Sequence, residues 1–131
     1  MARKKDTGDA LTPLELEIMK VLWETGPATV QTVQGRLAPA RTLAYTTVQT
    51  MLNVLHRKRK VGREIVERAY AYFPTVSRDQ VVHTTMRDII DRLFGGSAES
   101  LVQSLVETKH LTPDGLERLR RALEEASDGR D

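Results

Sequence analysis

The stretch AYTTVQTMLNVLHRK, residues 44–58, has room for about four turns of helix, and its apolar residues choose one face. Val48, Met51, Leu52 and Leu55 follow the i, i+3, i+4, i+7 spacing of an amphipathic helix, while Thr46, Gln49, Thr50, Asn53 and Arg57 point the other way. A merely solvated face would be filled with Glu, Lys and Arg, which are good helix formers. Thr and Asn each give up helix propensity, so something other than solubility selects them. Side chains of this kind donate to and accept from base edges, and a helix is the element that fits the major groove.

The flanking sequence supports that reading. Upstream, LTPLELEIMKVLWETGP carries an N-cap and capping box in Thr12 and Glu15, Pro13 at the first helical position, and a stripe of Leu14, Ile18 and Leu22 beside Met19 and Trp23. Gly26-Pro27 stops this helix. Thr29 caps a second, shorter helix built on Val30, Val33 and Leu37 and broken at Ala38-Pro39. The loop PARTL leads into the opening stretch as the third helix. Downstream, in HRKRKVGREIVERAYAYFP, helical periodicity gives way to β-formers, and two strands with a tight turn at Glu67-Arg68 are the simplest reading. Three helices followed by a β-hairpin is the order of a winged helix-turn-helix domain.

Beyond Pro74 the chain turns helical again. A second capping box, Ser77 to Gln80, opens a helix through Val82, Met86, Ile89, Ile90, Leu93 and Phe94 that stops at Gly95-Gly96. SLVQSLVE forms the next helix with Leu101, Val102, Leu105 and Val106. Thr112-Pro113 starts the last, with Leu116, Leu119 and Leu123 in register. A tail of this size is too small for a stable core of its own, so pairing with an identical tail is the economical solution. Its expected interface is Ile90, Leu93, Phe94, Leu101, Leu105, Val106, Leu116 and Leu119. The expected fold is therefore mainly α with a small β-hairpin wing: a winged-helix DNA-binding domain over residues 1–76, then a three-helix dimerisation domain over 77–131.

Charge divides along the same line. Residues 1–76 hold twelve Lys/Arg against seven Asp/Glu, and residues 77–131 hold eight against eleven, so the net +2 conceals a basic front and an acidic rear. Arg57, Lys58, Arg59, Lys60 and Arg63 follow the third helix at once, and Arg41 precedes it; these suit neighbouring phosphates, with Thr46, Gln49, Thr50 and Asn53 as the reading stripe. Arg68, at the expected hairpin tip, can touch phosphate or the minor groove, or serve as an ordinary turn residue. A basic helix end is also what the macrodipole favours in a solvated helix, but the full motif around this one argues for DNA. Tyr70 and Tyr72 share a strand face, and at least one belongs to the core.

Other chemistry finds little support. With no cysteine there is no disulfide or thiolate metal site, and His56, His83 and His110 lie too far apart for helical ligand spacing, so neither metal nor cofactor is expected. No nucleophile, carboxylate pair or phosphate loop argues for an enzyme. No run approaches the roughly 18 apolar residues of a membrane span, and the charged N-terminal MARKKDTGDA lacks the apolar region of a signal peptide, which leaves a cytoplasmic location. Two further readings stay open: a protein-interaction module on the same fold without DNA, and a winged-helix regulator with a small-molecule effector.

From residue 12 to residue 124 the chain resembles the penicillinase repressor family, the BlaI/MecI-type transcriptional regulators. The resemblance is carried by LTPLELEIMKVLW, YTTVQTMLNVLHRK, RAYAYFP, LFGGSAESLVQSLVE and LTPDGLERLRRAL, in that order. It implies a homodimeric repressor with a winged-helix domain on each half of an operator inverted repeat, in a β-lactam-resistance-type or related stress regulon. A membrane-bound metalloprotease sensor relieves repression in many systems of the family, which makes such a sensor an implied partner. Three places depart from the pattern. The family often has Lys-Gly after the third helix and Gly-Arg at the wing tip, where this chain has Lys58-Arg59 and Glu67-Arg68, so a different turn is expected. The Asn-Phe bond cut in the staphylococcal type aligns with Ser104-Leu105, which lacks that signal, so relief by a cut there is not expected. The cysteine-rich tail of the copper-responsive relatives is missing as well, which argues against metal sensing.

Overall fold

In the computed structural model, which describes residues 10–129, capping and periodicity set the first helices. The charged N-terminal stretch read above for a signal peptide lies, but for its last residue, outside the described residues. Helix α1 (Pro13–Thr25) begins at a reciprocal box: the Glu15 amide donates to Thr12 Oγ1 at 3.1 Å, and the Thr12 amide donates to Glu15 Oε1 at 2.9 Å. It ends at Gly26, whose φ of 79° lies in the left-handed region and whose N–H donates to the Leu22 carbonyl. Strand β1 (Ala28–Thr29) follows, then α2 (Val30–Leu37), capped by the Thr29 hydroxyl, and α3 (Tyr45–Arg57). Strands β2 (Val61–Val66) and β3 (Ala69–Pro74) form the expected hairpin.

The sheet has three antiparallel strands in the order β1-β3-β2, with Ala28 opposite Tyr72 and Ile65 opposite Tyr70. The wing thus leans on the chain just before α2, through a two-residue strand that carries no periodicity for a sequence reading to find. The hairpin turn uses two residues, and both Glu67 (φ 50°) and Arg68 (φ 72°) adopt the left-handed conformation that a right-twisted hairpin demands. Glycine is usual there, and neither residue is glycine. Gly62, opposite Phe73, meets a different need: a Cβ on it would stand 2.6 Å from the Phe73 ring.

One core joins these elements. Ile18, Met19 and Leu22 of α1, Val30, Val33 and Leu37 of α2, Val48, Leu52 and Leu55 of α3, and Val61 and Tyr72 of the hairpin are buried together. Each large apolar side chain removed from water contributes about 1.5–3 kcal/mol, so the three-helix contact carries most of the stability of this part. Trp23 is half-buried beside the core, and its indole N–H donates to the Val76 carbonyl at 2.9 Å, tying the chain after the wing back to α1.

Helices α4 (Arg78–Leu93), α5 (Ala98–Glu107) and α6 (Pro113–Gly129) complete the chain. The Ser77–Gln80 box forms as read, Ser97 caps α5, and Thr112 caps α6. Two compact units divide inside α4, between Thr85 and Met86. The second unit differs from the first in burial. No described residue of α4 or α5 is buried, and Leu93, Leu119 and Leu123 are 75%, 54% and 71% exposed. The polar face of α6 is laced by Arg120 bonded to both Glu117 and Glu124, and that guanidinium holds the Glu117 carboxyl below its ordinary value. No described helix is long and apolar enough to cross a membrane.

Candidate nucleic-acid interface

Helix α3 presents the two faces its periodicity requires. Val48, Leu52 and Leu55 are fully buried and Met51 half-buried, while Thr46, Gln49, Thr50 and Arg57 are exposed on the opposite side. Burial of the apolar stripe holds the helix against α1 and α2, so the exposed polar stripe is presented on a rigid element rather than a loop. At the start of α3, Ala44 offers no side-chain acceptor, which leaves first-turn amides to solvent or to an anion. Tyr45, exposed beside them, adds an amphipathic side chain. Neither feature was read from the sequence, although the lack of Ser, Thr, Asp or Asn at position 44 is a visible signal of the first.

The basic residues fall into two groups. Arg57, Arg59 and Arg68 are exposed, and Lys60 is half-buried. The other three are engaged within the fold. Arg41 forms a two-pronged pair with Glu17, Nε to Oε1 at 2.9 Å and Nη2 to Oε2 at 3.0 Å. Lys58 turns inward: its Nζ lies 2.8 and 3.1 Å from the carboxylate oxygens of Glu15 and 3.1 Å from the Ala10 carbonyl. Glu15 is only 3% exposed, so Lys58 neutralises a buried charge. Arg63 lies over the Tyr70 ring, 4.3 Å from its centroid, and donates to Asn53 Oδ1 at 3.2 Å. That same oxygen accepts from the Tyr72 hydroxyl at 2.9 Å. Tyr72 is the core tyrosine of the pair, 2% exposed, whereas Tyr70 is exposed.

The residues expected at a dimer seam sit in α4 to α6 and in the turn after α4. Ile90, Phe94 and Leu101 are half-buried, and Leu93, Leu105, Val106, Leu116 and Leu119 are exposed. Ser104 and Leu105 lie within α5, where the Ser104 carbonyl accepts from the Thr108 amide and the Leu105 carbonyl from the His110 amide. Among the described residues, no three His, Asp or Glu side chains are grouped to hold a metal ion.

Comparison with known proteins agrees with this architecture. The family model described as penicillinase repressor matches residues 11–125. The chain is 37% identical over 131 residues to the transcriptional regulator BlaI of Mycobacterium tuberculosis, covering 98% of this chain and 91% of that protein. It is 26% identical over 115 residues to the penicillinase repressor of Bacillus licheniformis, covering 88% and 90%. Among solved structures, MepR, a transcription regulator of the Staphylococcus aureus multidrug efflux pump MepA, aligns at a TM-score of 0.51 and 17% identity over 99% of this chain and 93% of its own, a likeness of fold alone. With the family model spanning nearly the whole chain and a close relative covered almost end to end, this protein belongs to the penicillinase repressor family, whose members are transcriptional repressors and not enzymes.

Proposed function

We propose that the chain is a cytoplasmic, sequence-specific DNA-binding repressor that acts as a homodimer on an operator inverted repeat. The observation that carries the reading is the exposed stripe of Thr46, Gln49 and Thr50 on α3, continued by exposed Arg57 and Arg59, together with exposed Arg68 at the wing turn. A helix laid in the major groove would set the stripe on base edges, while the arginines reach the phosphates on either side. The uncovered apolar residues of α4 to α6 support dimer formation, because a second copy would bury them and place two reading helices on one duplex. The names of the relatives support a regulated gene set of the β-lactam-resistance type or a related stress response.

Two basic residues are assigned differently from their neighbours. Lys58 is spent on Glu15, and Arg41 carries its own counter-charge in Glu17, so neither adds a full phosphate contact. Arg57, Arg59, Lys60 and Arg68 would supply four per protomer, which predicts a salt slope of about −7 for the dimer. Selection from a library of randomised duplexes tests the reading: an inverted repeat should emerge, and Gln49→Ala should relax one column in each half-site. Recovery of no common sequence would refute it.

A further inference from the structure

Asn53 lies on the reading side of α3, and an asparagine there commonly recognises adenine by donating to N7 and accepting from N6. In this structure the accepting half of the amide is already occupied. Arg63 carries only donors, so the amide atom facing its Nη1 at 3.2 Å must be the oxygen, and the Tyr72 hydroxyl donates to that same oxygen at 2.9 Å. Two bonds use both lone pairs of Oδ1. Tyr72 is fixed in the core, and Arg63 is fixed over the Tyr70 ring. Through one oxygen atom, Asn53 therefore joins the reading helix to both strands of the wing.

We infer that Asn53 is a positioning residue and reads no base: it locks the β2–β3 hairpin to α3 and holds the Arg63 guanidinium at the seam between them. Base recognition then falls to Thr46, Gln49 and Thr50. This inference rests on the DNA-binding reading above, and it adds that one member of the polar stripe sets the angle of the wing. Arg63 stays at that seam only while Asn53 holds it, and it sets the wing rather than adding a phosphate contact. Loss of either residue should then have the same consequence, and loss of both should add little.

The test uses the full chain and has two arms. In the absence of DNA, hydrogen exchange of the β2–β3 amides should accelerate in Asn53→Ala and stay at the wild-type rate in Gln49→Ala. Asn53→Asp, which keeps two acceptors for Tyr72 and Arg63, should retain the protection. Unchanged exchange in Asn53→Ala would overturn the tie, whatever the protein does with DNA. In the second arm, wild type, Asn53→Asp, Asn53→Ala and Arg63→Ala are each selected on randomised duplexes and titrated on the wild-type consensus. Asn53→Asp removes the amide donors and should still select the wild-type base columns. Asn53→Ala and Arg63→Ala should each weaken binding about tenfold, equally on consensus and scrambled duplexes, and the double variant by about the same factor. Relaxation of a single column per half-site in Asn53→Asp, or additive losses in the double variant, would overturn the inference. Absence of any wild-type consensus would refute the DNA reading, while the exchange arm still decides the tie.

Discussion

Lys58→Ala should unfold the winged unit more easily while leaving its electrostatic grip on DNA intact, although the residue lies in the most basic run of the chain. The Glu15 carboxylate is buried and receives three hydrogen bonds, two from Lys58 Nζ and one from the Thr12 amide. Truncation at position 58 removes the two charge-assisted bonds and leaves a buried carboxylate with one neutral donor. Breaking a buried pair from one side costs about 3–5 kcal/mol. The Lys58 side chain is 21% exposed, so water enters where Nζ stood, and the cost settles at about 2–3 kcal/mol. With a urea m-value near 1.5 kcal/mol/M, the midpoint falls by roughly 1–2 M. Trp23, the single tryptophan, reports this unit directly, since it packs on the core and bonds to Val76. Replacing both partners, Glu15→Gln with Lys58→Met, should recover part of the loss, because no charge is then buried alone. Salt titration of DNA binding below the transition should give the wild-type slope for Lys58→Ala and a slope flatter by about 2 for Arg57→Ala, one per protomer. A wild-type urea midpoint together with a flattened slope for Lys58→Ala would place Lys58 in the phosphate contact and not on Glu15.

Leu105→Asp places a charge among the uncovered apolar residues of the second unit; it should sediment as a monomer and lose operator affinity by orders of magnitude, because the second half-site contact is no longer intramolecular. Glu67→Asn with Arg68→Gly relieves two left-handed backbone positions and should raise the urea midpoint by the equivalent of about 1–2 kcal/mol; an unchanged or lower midpoint would show that the turn stores no such cost. Relief of repression should not pass through the Ser104-Leu105 bond, which is held within α5 and reaches a protease only after local unfolding. Mass spectrometry of the chain in cells exposed to a β-lactam checks this: fragments ending at Ser104 that precede derepression, and vanish when the bond is blocked, would contradict it.

Most of the helices were legible because they carry their own punctuation, while α3, whose N-cap Ala44 offers none, was legible from its periodicity. Thr12 with Glu15, Thr29 and Ser77 with Gln80 announce helix starts through bonds made within three residues, and those bonds are present. The hairpin was legible from alternation, even with no glycine at its turn. Strand β1 was not, since two residues are too few to show a period and its partner lies over forty residues away. The same distance hid the fate of Lys58 and Asn53. A lysine after a reading helix has the same letter whether it faces phosphate or a carboxylate 43 positions upstream. Likewise, Asn53 points to the polar face of α3 by periodicity, but whether its oxygen is available depends on Tyr72 and Arg63, which only the folded hairpin delivers. Side-chain direction along one helix is a local property; the pairing of polar atoms is a property of the packed molecule.

If α3 reads sequence and the exposed arginines supply a phosphate grip common to all DNA, the two contributions separate by salt and by sequence. Equilibrium titration of the full chain against its selected duplex and a scrambled duplex of equal length, at several salt concentrations, tests both halves in one experiment. The selected duplex should be preferred by at least about a thousandfold, with affinity for it falling along a slope of about −7. Equal affinity for the two duplexes, or binding to the selected duplex that does not change with salt, would contradict that expectation.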